Sequence, residues 1–231
     1  MFFQNRIVSI NSTDKVLEIG PGATPYFRSD VLLEKKYETE KELIAQSGNI
    51  GVLKTDKSVI YYDGDRFPFA DKEFDYVICS HVLEHVPNAD VFLKEIQRVG
   101  KKGYLEFPTL YYDYLYNIPE HTLLLLEKDA CIKWMTKKES GFEQYESVQR
   151  FFHRTLELDY YDTIRNFKPY FFQGFEWFDT IQSKKVDKIE ELTYPISDIK
   201  LEKNPKSDYN SNYANLSLKQ HIKYKLGKLL K

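Results

Sequence analysis

The chain has 231 residues, of which 42% are hydrophobic and 16% aromatic, and a formal net charge of −2. That length supports one domain of roughly 100–200 residues with an elaboration, and so balanced a charge excludes a general nucleic-acid-binding surface, which needs a basic excess to neutralise phosphates. With only two cysteines, Cys79 and Cys131, and no window near the roughly 18 apolar residues of a membrane span, a cytoplasmic protein is expected, at most peripheral to the inner face of the membrane.

In chain order, the N-terminal 14 residues carry neither a basic region nor an apolar stretch of signal-peptide length. Residues 15–19 predict a first strand, which opens into the glycine pair Gly20-x-Gly22. Residues 30–34 predict a second strand ending on Glu34. The nine residues between Gly20 and Asp30 are too few for an ordinary helical crossover of a dozen or more, and Pro25 helps to end any helix there. A charged excursion follows from 35 to 57, with a possible helix at 38–45 and a loop around Gly48 and Gly51. "SVIYYD" then predicts a third strand ending at Asp63, and "FDYVICS" a fourth ending at Ser80.

"NADVFLKEIQRVG" has the full signature of a helix: Asn88 as N-cap, an apolar stripe of Phe92, Leu93, Ile96 and Val99, and Gly100 as the stop. "GYLEF" predicts a fifth strand. Beyond Pro108 the chain is dense in aromatics, and residues 168–181 with 185–192 predict a hairpin turning at Gln182-Ser183-Lys184. This order of elements predicts an α/β fold with a mainly parallel sheet. A domain spanning 1–213 is expected, with a ligand-binding core at about 14–108 and sheet closure at about 109–200. A basic amphipathic segment at 214–231 would set Leu218, Ile222, Leu226 and Leu229 on one helix face. It either docks on its own domain, frays, or lies on an anionic membrane surface.

The glycine loop lacks the third glycine of a dinucleotide fingerprint, since Pro25 stands there. Glu18 before it would repel a pyrophosphate and suits a ligand with a positive group. His81 and His85 flank Glu84, but "HVLEH" lacks the H-E-x-x-H order of a zinc helix, and no metal site is expected. Asp71 and Asp75 are read as structural.

"LEIGPG", "VLLE", "YYDGDRFPFADKEFDYVICSHVLEHV" and "FLKEIQRVGKKGY", in that order, resemble the successive motifs of class I S-adenosylmethionine-dependent methyltransferases, in the subgroup with "VLEHV" after the fourth strand. The resemblance spans about 14–108. It implies a Rossmann-like fold with a seven-stranded sheet and flanking helices, and S-adenosyl-L-methionine as cofactor. By residue, it implies that Gly20 and Gly22 lie against the methionine part with Glu18 nearby, and that Glu34 accepts from the ribose hydroxyls. Asp63, with Asp65 as the competing candidate, takes the adenine amino group beside Gly64, while Ser80 and His81 line the pocket. Thr24 replaces a frequent third glycine, and a proline-containing loop stands in for the first helix.

The implied reaction is in-line displacement at the sulfonium methyl by an acceptor nucleophile, with a base needed for a hydroxyl. By analogy with the subgroup the preferred acceptor is a sugar or other small-molecule hydroxyl in surface-polysaccharide biosynthesis. The alternative is a non-catalytic sensor or scaffold that binds the cofactor, since cofactor motifs report binding and not turnover. The candidate base is His121 at the pocket mouth, held by Pro119 and Glu120, with His153 as the alternative. Read otherwise, His121 caps a helix "HTLLLLEKDA".

Overall fold

The computed structural model describes residues 1–39, 41–42, 53–64, 66–195 and 197. Met1–Thr193 form one unit; residues 194–231 form a second, of which only Tyr194, Pro195 and Ser197 are described. The expected amphipathic segment 214–231, half of the possible helix at 38–45, Gly48, Gly51 and Asp65 lie outside the described residues.

Among the described residues the strands are β1 (Val16–Ile19), β2 (Val31–Lys35), β3 (Ser58–Tyr62), β4 (Phe74–Ser80), β5 (Gly100–Pro108), β6 (Leu123–Lys128), β7 (Cys131–Thr136), β8 (Phe172–Phe178) and β9 (Gln182–Lys185), several of them rich in β-branched and aromatic residues. The main sheet has the order β3-β2-β1-β4-β5-β8. Its first five strands are parallel, and β8 closes antiparallel on β5. β1 and β4 are neighbours although β2 and β3 fold to the far side, so the switch of direction falls between them. In open α/β sheets this is where ligands meet the carboxyl ends of the strands.

Among the described residues the α-helices are α1 (Ala89–Val99), α2 (Leu110–Tyr116), α3 (Glu146–Glu157) and α4 (Asp162–Phe171). α1 forms as the sequence predicts. Asn88 Oδ1 accepts from Val91 N at 3.2 Å, and Phe92, Leu93, Ile96 and Val99 are buried against Val77, Cys79 and Leu105 of the sheet. On the opposite face Val16, Tyr76, Ile78 and Tyr104 pack against Met1, Ile7 and Ile10. β4 is therefore buried on both faces, which is why it reads as an almost continuous apolar run.

The N-terminal segment is held down by Glu176 of β8, whose Oε1 accepts from Val8 N at 3.1 Å, Ser9 N at 2.9 Å and Tyr76 Oη at 2.6 Å. Burial alone would push this carboxyl up, but these donors outweigh it and hold the group below its ordinary value. A depressed carboxylate contributes stability above its unfolded pKa and loses that contribution as pH falls through the folded value. We expect Glu176→Gln to lower stability at pH 7 by about 1–2 kcal/mol and to flatten the acid limb of the stability curve below about pH 4.5. Denaturant melts of both proteins between pH 3 and 7 check this, and parallel curves would contradict it.

Three expectations are corrected. Among the described residues the main sheet has six strands rather than seven, and a second sheet of order β6-β7-β9 accompanies it. Gln182-Ser183-Lys184 is not a hairpin turn: it lies in β9, which runs parallel to β7 with Ile132 opposite Ser183. Ser183 Oγ and Trp134 Nε1 both donate to Asp90 Oδ1 of α1, at 2.6 and 2.8 Å, and fix the strand there. "HTLLLLEKDA" is no helix either. Leu123–Lys128 is β6, and Asp129 and Ala130, both at φ 57°, form the two-residue turn into β7. Two left-handed residues match the twist of a tight hairpin.

Candidate functional site

The strand register brings the motif positions to one edge. Ile19 pairs with Leu33 on one side and Cys79 on the other, and Glu34 pairs with Tyr61. Gly20, Glu34 and Ser80 therefore stand at one level along the carboxyl ends of β1, β2 and β4, with Asp63 two residues past Tyr61. Gly20 and Gly22 have φ of +61° and +59°, a region that side chains rarely adopt. At Gly20 an added Cβ would meet Val82 Cγ2 at 2.4 Å. This glycine is required both by backbone and by space.

Glu18 is buried, and its Oε2 accepts from Tyr26 N at 2.8 Å and Ser29 Oγ at 2.7 Å. Burial pushes its carboxyl up and these donors offset part of the rise. The acid thus shapes the helix-free loop between β1 and β2. Glu34 is half-buried at the end of β2; burial raises its carboxyl too, partly offset by the Lys35 N–H that donates to Oε1 at 3.0 Å. A carboxylate has roughly four acceptor positions, so it retains capacity for a ligand. Asp63 and Gly64 are exposed, and a Cβ on Gly64 would meet nothing within 4 Å. The structural acids fall elsewhere: Asp75 accepts from Lys15 N at 2.9 Å, and Asp71 from Arg98 Nη1 at 2.9 Å.

Past β4 the chain turns through His81, whose φ is 57°, into a 3-10 turn at Leu83–His85. His81 Nε2 lies 3.0 Å from Glu106 Oε1 and its Nδ1 3.4 Å from Glu84 Oε1. Burial alone would lower this imidazole, but the two carboxylates outweigh it and raise it to about 9. Glu106, at the inner end of β5, also accepts from Ser80 Oγ at 3.1 Å, Tyr104 Oη at 2.6 Å, and Phe2 N and Phe3 N at 2.6 and 2.9 Å. Burial would raise it, yet His81 and Tyr104 bring it down to about 2.

His121 is buried just before β6, not set at a pocket mouth. Its Nδ1 lies 2.9 Å from both carboxylate oxygens of Asp113 on α2, and its Nε2 4.0 Å from Glu84 Oε1. Burial alone would lower the imidazole; the Asp113 carboxylate outweighs that and raises it. The Glu120 backbone carbonyl holds His85 Nδ1 at 3.0 Å, leaving His85 Nε2 3.9 Å from the same Glu84 oxygen. His153 is apart from this cluster in its contacts: it lies on α3, with Nδ1 3.9 Å from Glu157 on the next turn.

Glu106 and Asp113 were missed in the sequence. The signal at Glu106 was present, because an acid inside the apolar run "GYLEF" is as costly as Glu18 within its strand. Asp113, inside "YYDYLY", carries no comparable mark.

Residues 35–105 match the family model of a methyltransferase domain. No curated protein matches the chain in sequence. Among solved structures, the YcgJ protein from Bacillus subtilis is 18% identical, with 49% of this chain and 56% of that one covered and a TM-score of 0.35. A putative methyltransferase from Bacillus halodurans is 18% identical over 53% of this chain and 68% of that one, with a TM-score of 0.36. An S-adenosylmethionine-dependent methyltransferase from Methanosarcina mazei is 19% identical over 52% and 69%, with a TM-score of 0.32. The chain thus spans a little over half the length of the Bacillus subtilis protein. The family match, which covers the later two of the four motifs, bears out the resemblance, and the mainly parallel α/β sheet bears out the expected fold class.

Proposed function

We propose that this chain is a class I methyltransferase that uses S-adenosyl-L-methionine. The observation that carries this reading is the alignment of Gly20, Glu34 and Asp63 along the carboxyl edge of β1, β2 and β3, beside the switch of strand direction. The donor set fits the cofactor. The left-handed glycines present backbone without side chains, Glu34 offers acceptor capacity to a diol, and Asp63 offers an exposed carboxylate to an exocyclic amine. Bound there, the cofactor supplies an electrophilic methyl on a sulfonium.

The chain's own contribution is to bind, orient and deprotonate. Ser80 and His81, locked by Glu106, form the floor at the end of β4. The acceptor is activated at the adjoining cluster of Glu84, His85 and His121, where Asp113 fixes the tautomer and direction of His121. We take His121 as the residue that governs proton removal, acting from within this cluster. A sugar hydroxyl in surface-polysaccharide biosynthesis remains the acceptor proposed, by analogy.

Calorimetric titration with the cofactor tests the pocket. Glu34→Ala and Asp63→Ala are each expected to weaken binding by about 1–3 kcal/mol through loss of charge-assisted hydrogen bonds. Unchanged affinity in both variants would remove these two residues from the pocket.

A further inference from the structure

Glu84 has no exposed surface, and neither of its carboxylate oxygens has a hydrogen-bond partner among the described residues. Its nearest counter-charge, His81, is shared with Glu106, so this buried carboxylate is incompletely satisfied, which is costly and rarely found in native structures without a reason. Three imidazole nitrogens surround Glu84 Oε1: His81 Nδ1 at 3.4 Å, His85 Nε2 at 3.9 Å and His121 Nε2 at 4.0 Å. His81 Nδ1 is the nearest and pairs with it as a counter-charge, while the two Nε2 atoms lie beyond hydrogen-bond distance. One donor atom each from Glu84, His85 and His121 lie within 4.8 Å of one another. Tetrahedral zinc, with ligand bonds of about 2.0–2.2 Å, separates its donors by roughly 3.4 Å. A cation drawn between these groups therefore asks each for a movement of well under an ångström to about one.

The outward-facing nitrogens strengthen the case. A metal-bound histidine usually has its other ring nitrogen held by a carboxylate or a backbone carbonyl, which fixes tautomer and direction. His121 Nδ1 is held by the Asp113 carboxylate, and His85 Nδ1 by the Glu120 carbonyl. In both rings the nitrogen left over is Nε2, and both face Glu84. The two rings meet edge to face, with centroids 4.9 Å apart and planes at 85°, so their nitrogens converge without stacking.

We propose that Glu84, His85 and His121 bind a divalent transition-metal cation, with Asp113 and the Glu120 carbonyl as the supports that aim the two imidazoles. Two neutral imidazoles and one carboxylate suit zinc, cobalt or iron better than magnesium or calcium, which prefer all-oxygen shells. In the sequence the pair His81 and His85 was set aside for want of a suitable pattern; the third ligand arrives from 36 positions beyond His85, on a loop that only the fold brings near. The site stands on its own geometry; with a cation bound, His121 Nε2 is a ligand and cannot also serve as the base of the proposed methyl transfer.

The test is cobalt(II) and zinc(II) binding by the full, tag-free chain after chelation, followed by calorimetry and by the visible absorption of bound cobalt. Wild type is expected to take up one cation per chain with the spectrum of a nitrogen- and oxygen-ligated, low-coordinate cobalt, and to melt at a higher temperature with the metal than without. Glu84→Gln and His121→Ala should each weaken binding by about 100-fold or more, and Asp113→Asn by about 10–100-fold. Should Glu84→Gln fail to fold by circular dichroism, His85→Ala and Asp113→Asn carry the same comparison. Absence of saturable binding by wild type, or equal affinity in wild type and His121→Ala, would overturn the proposal. Cofactor titration of the chelated protein separates the two ideas, because binding of S-adenosylmethionine without any metal uptake sinks the metal site alone.

Discussion

His121→Ala is expected to lower methyl transfer by about 10²–10⁴-fold while leaving cofactor affinity intact, the usual consequence of losing a group that removes a proton. The expectation rests on the Asp113–His121 pair. Both Asp113 oxygens lie 2.9 Å from His121 Nδ1, so that nitrogen is held by the carboxylate and Nε2 is the one left for other chemistry. Nε2 faces Glu84 Oε1 at 4.0 Å, in the turn just past the end of β4. Asp113→Asn should reduce turnover in the same direction but by less, because the imidazole remains and only its orientation and tautomer are loosened. Steady-state rates with a known acceptor, together with cofactor titration of each variant, check both. Near-wild-type turnover in His121→Ala would return that residue to a structural role and move the search to His153. If turnover falls but no metal binds, proton removal by the imidazole itself is the mechanism.

Glu106→Ala is expected to destabilise the fold by about 3–5 kcal/mol, the range found when one partner of a buried ionic network is removed. Five groups converge on this carboxylate: Phe2 N, Phe3 N, Ser80 Oγ, His81 and Tyr104 Oη. Without it the His81 imidazolium faces Glu84 alone, two N-terminal amides lose their acceptor, and the segment covering Tyr76 and Tyr104 loses its anchor. Glu106→Gln should recover part of the loss, since an amide oxygen can still accept from Phe3 N or Tyr104. Urea unfolding of the three proteins at neutral pH gives the comparison. A loss below about 1 kcal/mol in Glu106→Ala would show that water replaces the carboxylate cheaply and that the network is not a structural anchor.

How far the sequence speaks differs from element to element. β4 and α1 were legible almost to the residue, because an apolar run between turn signals and a capped amphipathic stripe each admit one reading. The carboxyl-edge positions Gly20, Glu34, Asp63 and Ser80 followed from the ends of β1 to β4. "LLLLEK" was misread because a short apolar run has no period that separates a buried strand from a helix, and its turn, Lys128-Asp129-Ala130-Cys131, contains no glycine to announce left-handed backbone. β9 was hidden for a different reason. A polar strand, "QSKK", pairs in parallel with β7, about fifty residues earlier, and its place is fixed by Asp90 on a helix. No local pattern encodes such a partner. The Glu84 cluster has the same character, since His81, Glu84 and His85 are visible together in "HVLEH" while His121 and Asp113 reach them only through folding.

Transfer of a labelled methyl group from S-adenosylmethionine into extracts fractionated as small molecules, lipids, glycans and macromolecules tests the central claim most directly. The expected result is label in one fraction, with the small-molecule or glycan fraction foremost, accompanied by an equal amount of S-adenosylhomocysteine and strongly reduced in Asp63→Ala at limiting cofactor. Failure of the wild-type chain to bind S-adenosylmethionine, or binding with no S-adenosylhomocysteine above the blank in any fraction, would contradict a methyltransferase; the second outcome would leave a protein that holds the cofactor without turning it over.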